Sequence, residues 1–141
     1  MTDPIFTIRR IYLKDVSFEA PQGAHSFTRA WEPETSIDLN IAAEALAPTT
    51  HEVTLRVTVT TANVGSTAFL IEVVQSGIFE IDGYARSATD RLLQTVCPTI
   101  LFPYAREAID SVVGKASFPP LMLEPVNFEA MHDAVLSQAT S

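Results

Sequence analysis

Basic charge, glycine and cysteine are all scarce in this chain, and each shortage removes a class of function. Nine Lys and Arg stand against seventeen Asp and Glu, a formal net charge of −8. Phosphate backbones and anionic lipid repel such a chain, so neither nucleic acid nor a membrane surface is expected as partner. A basic protein surface is attracted instead. Five glycines leave little room for phosphate-cradling loops, and neither a Gly-x-x-x-x-Gly-Lys loop nor a dinucleotide fingerprint is present. The one cysteine, Cys97, rules out an intrachain disulfide and a cysteine metal cluster. Its mostly apolar neighbours Val96, Pro98 and Ile100 predict a buried, inert thiol. His25, His51 and His132 lack metal-ligand spacing, so no metal or cofactor is expected. No apolar run is long enough to span a bilayer. Met1-Thr2-Asp3-Pro4 has neither the basic nor the apolar region of a secretory leader, and a cytoplasmic location is the expectation.

What is present is apolar content. Hydrophobic residues make up 47% of 141 residues, charged residues only 18%, and mean hydropathy is +0.18. That suits one folded domain over residues 1–141 and argues against disorder; residues 1–5 and 137–141 are expected as flexible termini. A small globule has a large surface, so a chain this apolar covers part of that surface with partners. The composition points to an oligomer, a hydrophobic binding face, or both.

Hydrophobic periodicity divides the chain into a β-rich first part and a helical last part, as in an α+β domain. Ile5 to Glu19 mixes β-branched, aromatic and polar residues without a helical period, and Pro21-Gln22-Gly23 ends it. After Pro33, Ile37, Leu39 and Ile41 alternate with Ser36, Asp38 and Asn40. The clearest strand alternates Val53, Leu55, Val57 and Val59 with Thr54, Arg56, Thr58 and Thr60. Asn63-Val64-Gly65-Ser66 reads as a hairpin turn into Thr67 to Ile81, a run whose two parities are both apolar, so both its faces should meet apolar neighbours. Four strands joined mainly by short turns predict an antiparallel sheet.

From Ser87 the period becomes helical. A short helix over 87–96 and a longer one ending near Val113 are predicted, with Gly114 as the stop. Pro98 suits a first helical turn, whereas Pro103 predicts a kink or a late start. Phe118-Pro119-Pro120 and Pro125 hold an extended connection, and Asn127 caps a final helix through about Leu136.

Candidate chemistry is sparse. In an extended chain Asp15 and Glu19 share a face, about 13 Å apart, and Glu72 lies between Leu70 and Val74 on one parity. On pattern alone these are solvent-facing carboxylates that keep a sheet soluble and discourage edge pairing. The alternative is an acidic, partly apolar face that docks a basic partner. Phe27 and Trp31 fall in the irregular stretch between the first two strands, where an aromatic needs a dedicated pocket or a ligand. A groove of aromatic and β-branched residues would hold extended apolar peptide by area burial, at about 25 cal/mol per Å² before ordering costs. Arg106-Glu107 reads more simply as a solvated or interhelical ion pair than as a catalytic site.

Several stretches carry a family resemblance. They are Ile11-Tyr12-Leu13-Lys14-Asp15-Val16-Ser17-Phe18-Glu19-Ala20-Pro21, Leu55-Arg56-Val57-Thr58-Val59-Thr60, the run from Cys97-Pro98-Thr99-Ile100 through Tyr104-Ala105-Arg106-Glu107, and Phe118-Pro119-Pro120-Leu121 through Pro125-Val126-Asn127-Phe128. In content and order they resemble the bacterial protein-export chaperones of the SecB family, from about Phe6 to about Met131.

The resemblance implies a four-stranded antiparallel sheet with a long helix and a short C-terminal helix packed on one side, assembled as a homotetramer, a dimer of dimers. It implies a protein that is not an enzyme and that binds unfolded preproteins without ATP and delivers them to the SecA motor. The family's motor-docking face falls on Asp15, Glu19, Leu70 and Glu72. Its client groove falls on Phe27, Trp31, Ile37, Leu39, Phe69 and Phe128, and a stretch tied to subunit association falls on Ile71, Val73 and Gln75. Two features depart from the family: no Lys or Arg follows Lys115 and the tail Ser137-Gln138-Ala139-Thr140-Ser141 is short and uncharged, where relatives often carry a longer, motor-contacting tail, and His132 stands where an apolar or aromatic residue is usual. A SecB-like chaperone dedicated to one client, such as an antitoxin, is the nearest alternative. A hot-dog-type thioesterase using Glu107 or Asp110 is a distant one.

Overall fold

The computed structural model describes residues 3–140. Four long strands, β1 (Ile5–Glu19), β2 (Pro33–Ala47), β3 (Thr50–Asn63) and β4 (Ser66–Asp82), precede three helices, α1 (Arg86–Gln94), α2 (Val96–Lys115) and α3 (Phe128–Thr140). Secondary structure thus takes in Ile5 at one end and 137–140 at the other.

All pairings are antiparallel, in the order β1-β4-β3-β2. Strands β2, β3 and β4 form a meander, while β1 pairs with β4, so β1 and β2 occupy opposite edges. The link between them must therefore cross the full width of the sheet, on the order of 15 Å at about 4.8 Å per strand. It does so through residues 20–32, which contain a short 3-10 turn at Gly23–Phe27.

Alternation on β3 sets the two faces. Val53, Leu55, Val57 and Val59 are fully buried on the inner face, and Arg56 is exposed on the outer one. The inner face receives α2, whose Cys97, Leu101, Ala105, Ile109 and Val113 recur every fourth residue and are all fully buried. Strand β4 divides its apolar residues between the faces: Phe69, Ile71 and Val73 enter the core, while on the outer face Val74 is shielded by its neighbours and Leu70 stays 36% exposed.

Two helix expectations need correction. Helix α2 runs unbroken through the exposed Pro103 instead of starting after it, and the break in the helical segment lies earlier, at Thr95. The stop is not Gly114. The helix continues to Lys115, and Ser117 takes the left-handed conformation, φ 68°. Ser117 N–H donates to Gly114 C=O at 3.0 Å and Phe118 N–H to Val113 C=O at 3.1 Å, which satisfies the last carbonyls and seats an apolar ring beyond the helix end. The cap of α3 is as expected: Asn127 Oδ1 accepts from Ala130 N–H at 2.9 Å.

Two backbone positions control how the layers meet. At Gly77 a Cβ would lie 2.8 Å from the Phe79 ring and 3.0 Å from Leu101, so its absence lets α2 settle on β4. The β3–β4 hairpin places both Val64 (φ 51°) and Gly65 (φ 80°) at positive φ, a twist that suits the strands but strains a β-branched residue. At fixed protein concentration Gly77→Ala should lower unfolding stability by about 1–3 kcal/mol. Val64→Asn should raise it by about 1 kcal/mol. Denaturant titration of both variants checks the two signs.

Candidate functional site

Register places Asp15, Ser17 and Glu19 of β1 beside Val74, Glu72 and Leu70 of β4, which in turn adjoin Arg56, Thr58 and Thr60 of β3. The four predicted docking residues Asp15, Glu19, Leu70 and Glu72 thus share one patch on the outer face. Asp15 and Glu19 are exposed near the β1 edge. Glu72 is not free: it is ion-paired with Arg56 Nη1 and accepts from Thr58 Oγ1 at 3.2 Å. Beyond Arg56 the outer face continues with Asp38 on β2, opposite Thr58.

A polar strap spans this face farther along. Tyr12 Oη and Lys14 Nζ reach from β1 over β4 to the same carboxylate on β3, Glu52; the lysine distances are 3.3 and 3.2 Å. The tyrosine hydrogen bond, then Lys14, holds Glu52 below the usual carboxylate range, while Glu52 raises the Tyr12 phenol. Behind the strap, Gln75 Nε2 donates to Tyr12 C=O at 3.0 Å beside the register shift between Leu13 and Asp15.

On the inner face the link between β1 and β2 builds an aromatic cluster. Asn63 brackets Trp31, with Nδ2 donating to Ala30 C=O at 3.0 Å and Oδ1 accepting from Glu32 N–H at 2.7 Å. Phe69 forms the buried floor and stacks on Phe18 at 5.9 Å, while Phe27 lies at the mouth, 56% exposed. At the centre is Phe118, with ring centroids 4.8 Å from Phe69, 5.2 Å from Phe27 and 5.6 Å from Trp31. Sequence reasoning missed Phe118 as a site residue because it read as part of a proline-flanked connection; its aromatic character just past a helix end was the available signal.

Ile37 and Leu39 lie on this same face, opposite Val59 and Val57, with Ile37 44% exposed. Helix α1 packs on β2 farther along, so these residues lie between the cluster and α1. Phe128 does not join the cluster. It is buried, with its ring edge-on to Phe102 at 6.1 Å, and anchors α3 to α2. Ile71 and Val73 are fully buried within the protomer and Gln75 nearly so. Their surfaces are therefore closed to direct subunit contact. Unburied apolar side chains instead line β1, at Ile5 (46%), Ile8 (44%) and Leu13 (50%), and Tyr104 projects from α2.

The remaining candidates have structural roles. Asp110 Oδ1 accepts from Leu121 N–H at 3.1 Å, and Arg106 Nη1 donates to Leu123 C=O at 3.3 Å. Both tie the 116–127 connection to α2; Arg106 is not paired with Glu107, which is exposed. Cys97 is fully buried, and desolvation pushes its thiol up to about 12. The half-buried His132 neighbours Asp133, whose carboxylate is ion-paired with Arg91 at 2.9 Å, tying α3 to α1. Among the described residues no His, Cys, Asp and Glu group is arranged to hold a metal ion, and no helix is long and apolar enough to cross a membrane.

The strap yields a pH signature. A lowered carboxylate pKa contributes stability that is present above the ordinary Glu value of about 4.3 and lost as pH falls through the depressed one. Tyr12→Phe should therefore cost about 1 kcal/mol at neutral pH, a difference that shrinks in acid. Denaturation midpoints of variant and parent across pH 3–7 measure it.

The SecB family model, described as preprotein translocase subunit SecB, matches residues 1–139. Protein-export protein SecB of Cellvibrio japonicus (strain Ueda107) is 50% identical over 136 residues, 96% of this chain and 81% of that protein. Its counterpart in Legionella pneumophila (strain Corby) is 52% identical over 127 residues, 90% and 78% of the two chains. A Mycobacterium tuberculosis SecB-like chaperone, solved in complex with a ChAD peptide from the HigA1 antitoxin, superposes with a TM-score of 0.73 at 19% identity, covering 86% of this chain and 90% of that one. With the family model matching nearly the whole chain and two export-protein relatives at about half identity, the chain belongs to the SecB family.

Proposed function

We propose that this protein is an ATP-independent export chaperone of the cytoplasm: it holds unfolded preproteins on the inner-face groove and presents them to SecA through the outer face. The observation that supports this best is the placement of two unlike surfaces back to back on one sheet. Inside, Phe27, Trp31, Phe69, Ile37 and Leu39 offer apolar contact with little demand on client sequence. Outside, Asp15, Glu19 and Glu72 surround Leu70, a surface suited to a basic partner with an apolar contact at its centre. Phe128 supports the groove from a distance by fixing α3. Nothing in this reading requires bond chemistry.

The assembly proposed is a dimer of dimers. The exposed β1 residues Ile5, Ile8 and Leu13 and the projecting Tyr104 on α2 give two separate apolar surfaces, as two kinds of contact require. Ile71, Val73 and Gln75 would act on association indirectly, by shaping β1 from behind. The export role is preferred to a dedicated antitoxin chaperone because the relatives at about half identity are export proteins. The antitoxin-bound neighbour shares only the fold.

Replacing both Asp15 with Asn and Glu72 with Gln should slow association with SecA about tenfold at low salt while leaving client holding intact. The second change also unmasks Arg56, so Arg56→Ala alone should accelerate association. Trp31→Ala should raise client off-rates without altering SecA binding. Surface plasmon resonance with SecA and with a denatured preprotein separates the effects; absence of SecA binding by an intact, client-holding protein would overturn the export role. Light scattering should give a mass near 62 kDa, four copies of 15.4 kDa.

A further inference from the structure

The aromatic cluster is already filled by a ring from the protein's own connection between α2 and α3. Phe118 is 5% exposed and stands between Phe69, Phe27 and Trp31, where an aromatic side chain of a bound peptide would find its contacts. We infer that Phe118 is a displaceable plug: an aromatic side chain of an unfolded client takes its place as the connection shifts away from α2. This rests on the reading of the groove as a client-holding site and concerns how that site is opened.

Several independent features make the closed arrangement a reversible one. The plug is carried on residues 116–127, which belong to neither the sheet nor a helix. Met122 (φ 51°) is a non-glycine residue in the left-handed region and a source of strain, whereas Ser117 (φ 68°) is held there by the helix-end hydrogen bonds of Ser117 and Phe118 N–H, which act as a further latch. Met122 is 75% exposed and contributes no core packing. Beyond Phe118 the connection is tied down by side chains of α2, through Asp110 to Leu121 N–H and Arg106 to Leu123 C=O. The Ser26 hydroxyl, one residue before Phe27, is buried without a hydrogen-bond partner among the described residues. A pocket that keeps its own ring shields Phe69 from water when no client is bound and exchanges one aromatic contact for another when a client arrives.

The test exploits Trp31, the one tryptophan of the chain. Its fluorescence reports on Phe118, and Asp110→Ala removes a latch without touching the ring. The probes are a short unfolded peptide carrying Phe and Lys and its counterpart with every Phe replaced by Ala. Loss of one latch should raise affinity for the Phe peptide about tenfold and leave the Ala peptide unchanged. Acrylamide quenching of Trp31 in the free protein should increase as well. Asp110→Asn, which retains a carbonyl acceptor for Leu121 N–H, should restore both values. Wild type and Asp110→Ala with equal Phe-peptide affinity and equal quenching would overturn the plug. Increased quenching with no peptide bound by either protein would support the movable ring and overturn the client-holding reading instead.

Discussion

One helix cannot cover this sheet. A helix of 20 residues is about 30 Å long, while strands of 14–17 residues extend about 50 Å, so α2 buries only part of the inner face. The every-fourth-residue stripe from Cys97 to Val113 closes the middle, and Gly77 lets Leu101 approach closely enough to seal it. What lies beyond the helix must be handled otherwise. At one end the link from β1 to β2 and the start of the α2–α3 connection supply a roof of aromatic rings; along the two edges, Ile8, Leu13 and Ile37 keep substantial exposure. The surplus apolar content noted in the composition is therefore localised by a mismatch of lengths.

The outer face shows the opposite economy. Its apolar residues are few, and they are sheltered by long polar side chains laid across the strands. Tyr12 and Lys14 reach over β4 to Glu52, and Arg56 reaches to Glu72. Exposed ion pairs of this kind add little to stability. Their effect is to fix which carboxylates remain available: Asp15 and Glu19 face solvent, while Glu52 and Glu72 are held by cations. Net charge alone does not distinguish these two sets, and the distinction determines what field an approaching partner meets.

Much of the fold was legible because strands and helices have different periods. Alternation from Val53 to Thr60 identified β3 and its faces, and Asn127 identified the start of α3. The errors have local physical causes. Glycine is the usual left-handed residue, which makes Gly114 the expected stop, whereas the hydrogen bonds from Ser117 and Phe118 N–H groups stabilise that conformation at a serine. Pro103 did not delimit α2, because losing one hydrogen bond on an exposed turn is tolerated when the opposite stripe is buried. The grouping of the site residues was less legible. Asp15, Glu19, Leu70 and Glu72 share a face through simple register, whereas the position of Phe128, edge-on to Phe102 and apart from Phe69, depends on how α3 folds back on α2. Phe118 went unnoticed because its neighbours in space come from three distant segments.

The bracketing of Trp31 by Asn63 has a wider implication. One amide side chain, 4% exposed, fastens the chain entering β2 to the residue that opens the β3–β4 hairpin. The wall of the cluster is thus riveted to the most regular part of the sheet, while the ring across from it hangs on an irregular segment. Under the proposed client-holding role, a cleft with one fixed jaw and one yielding jaw takes up contents of varied bulk on its yielding side, and the spacing of the carboxylates behind the sheet is then set by the fixed one.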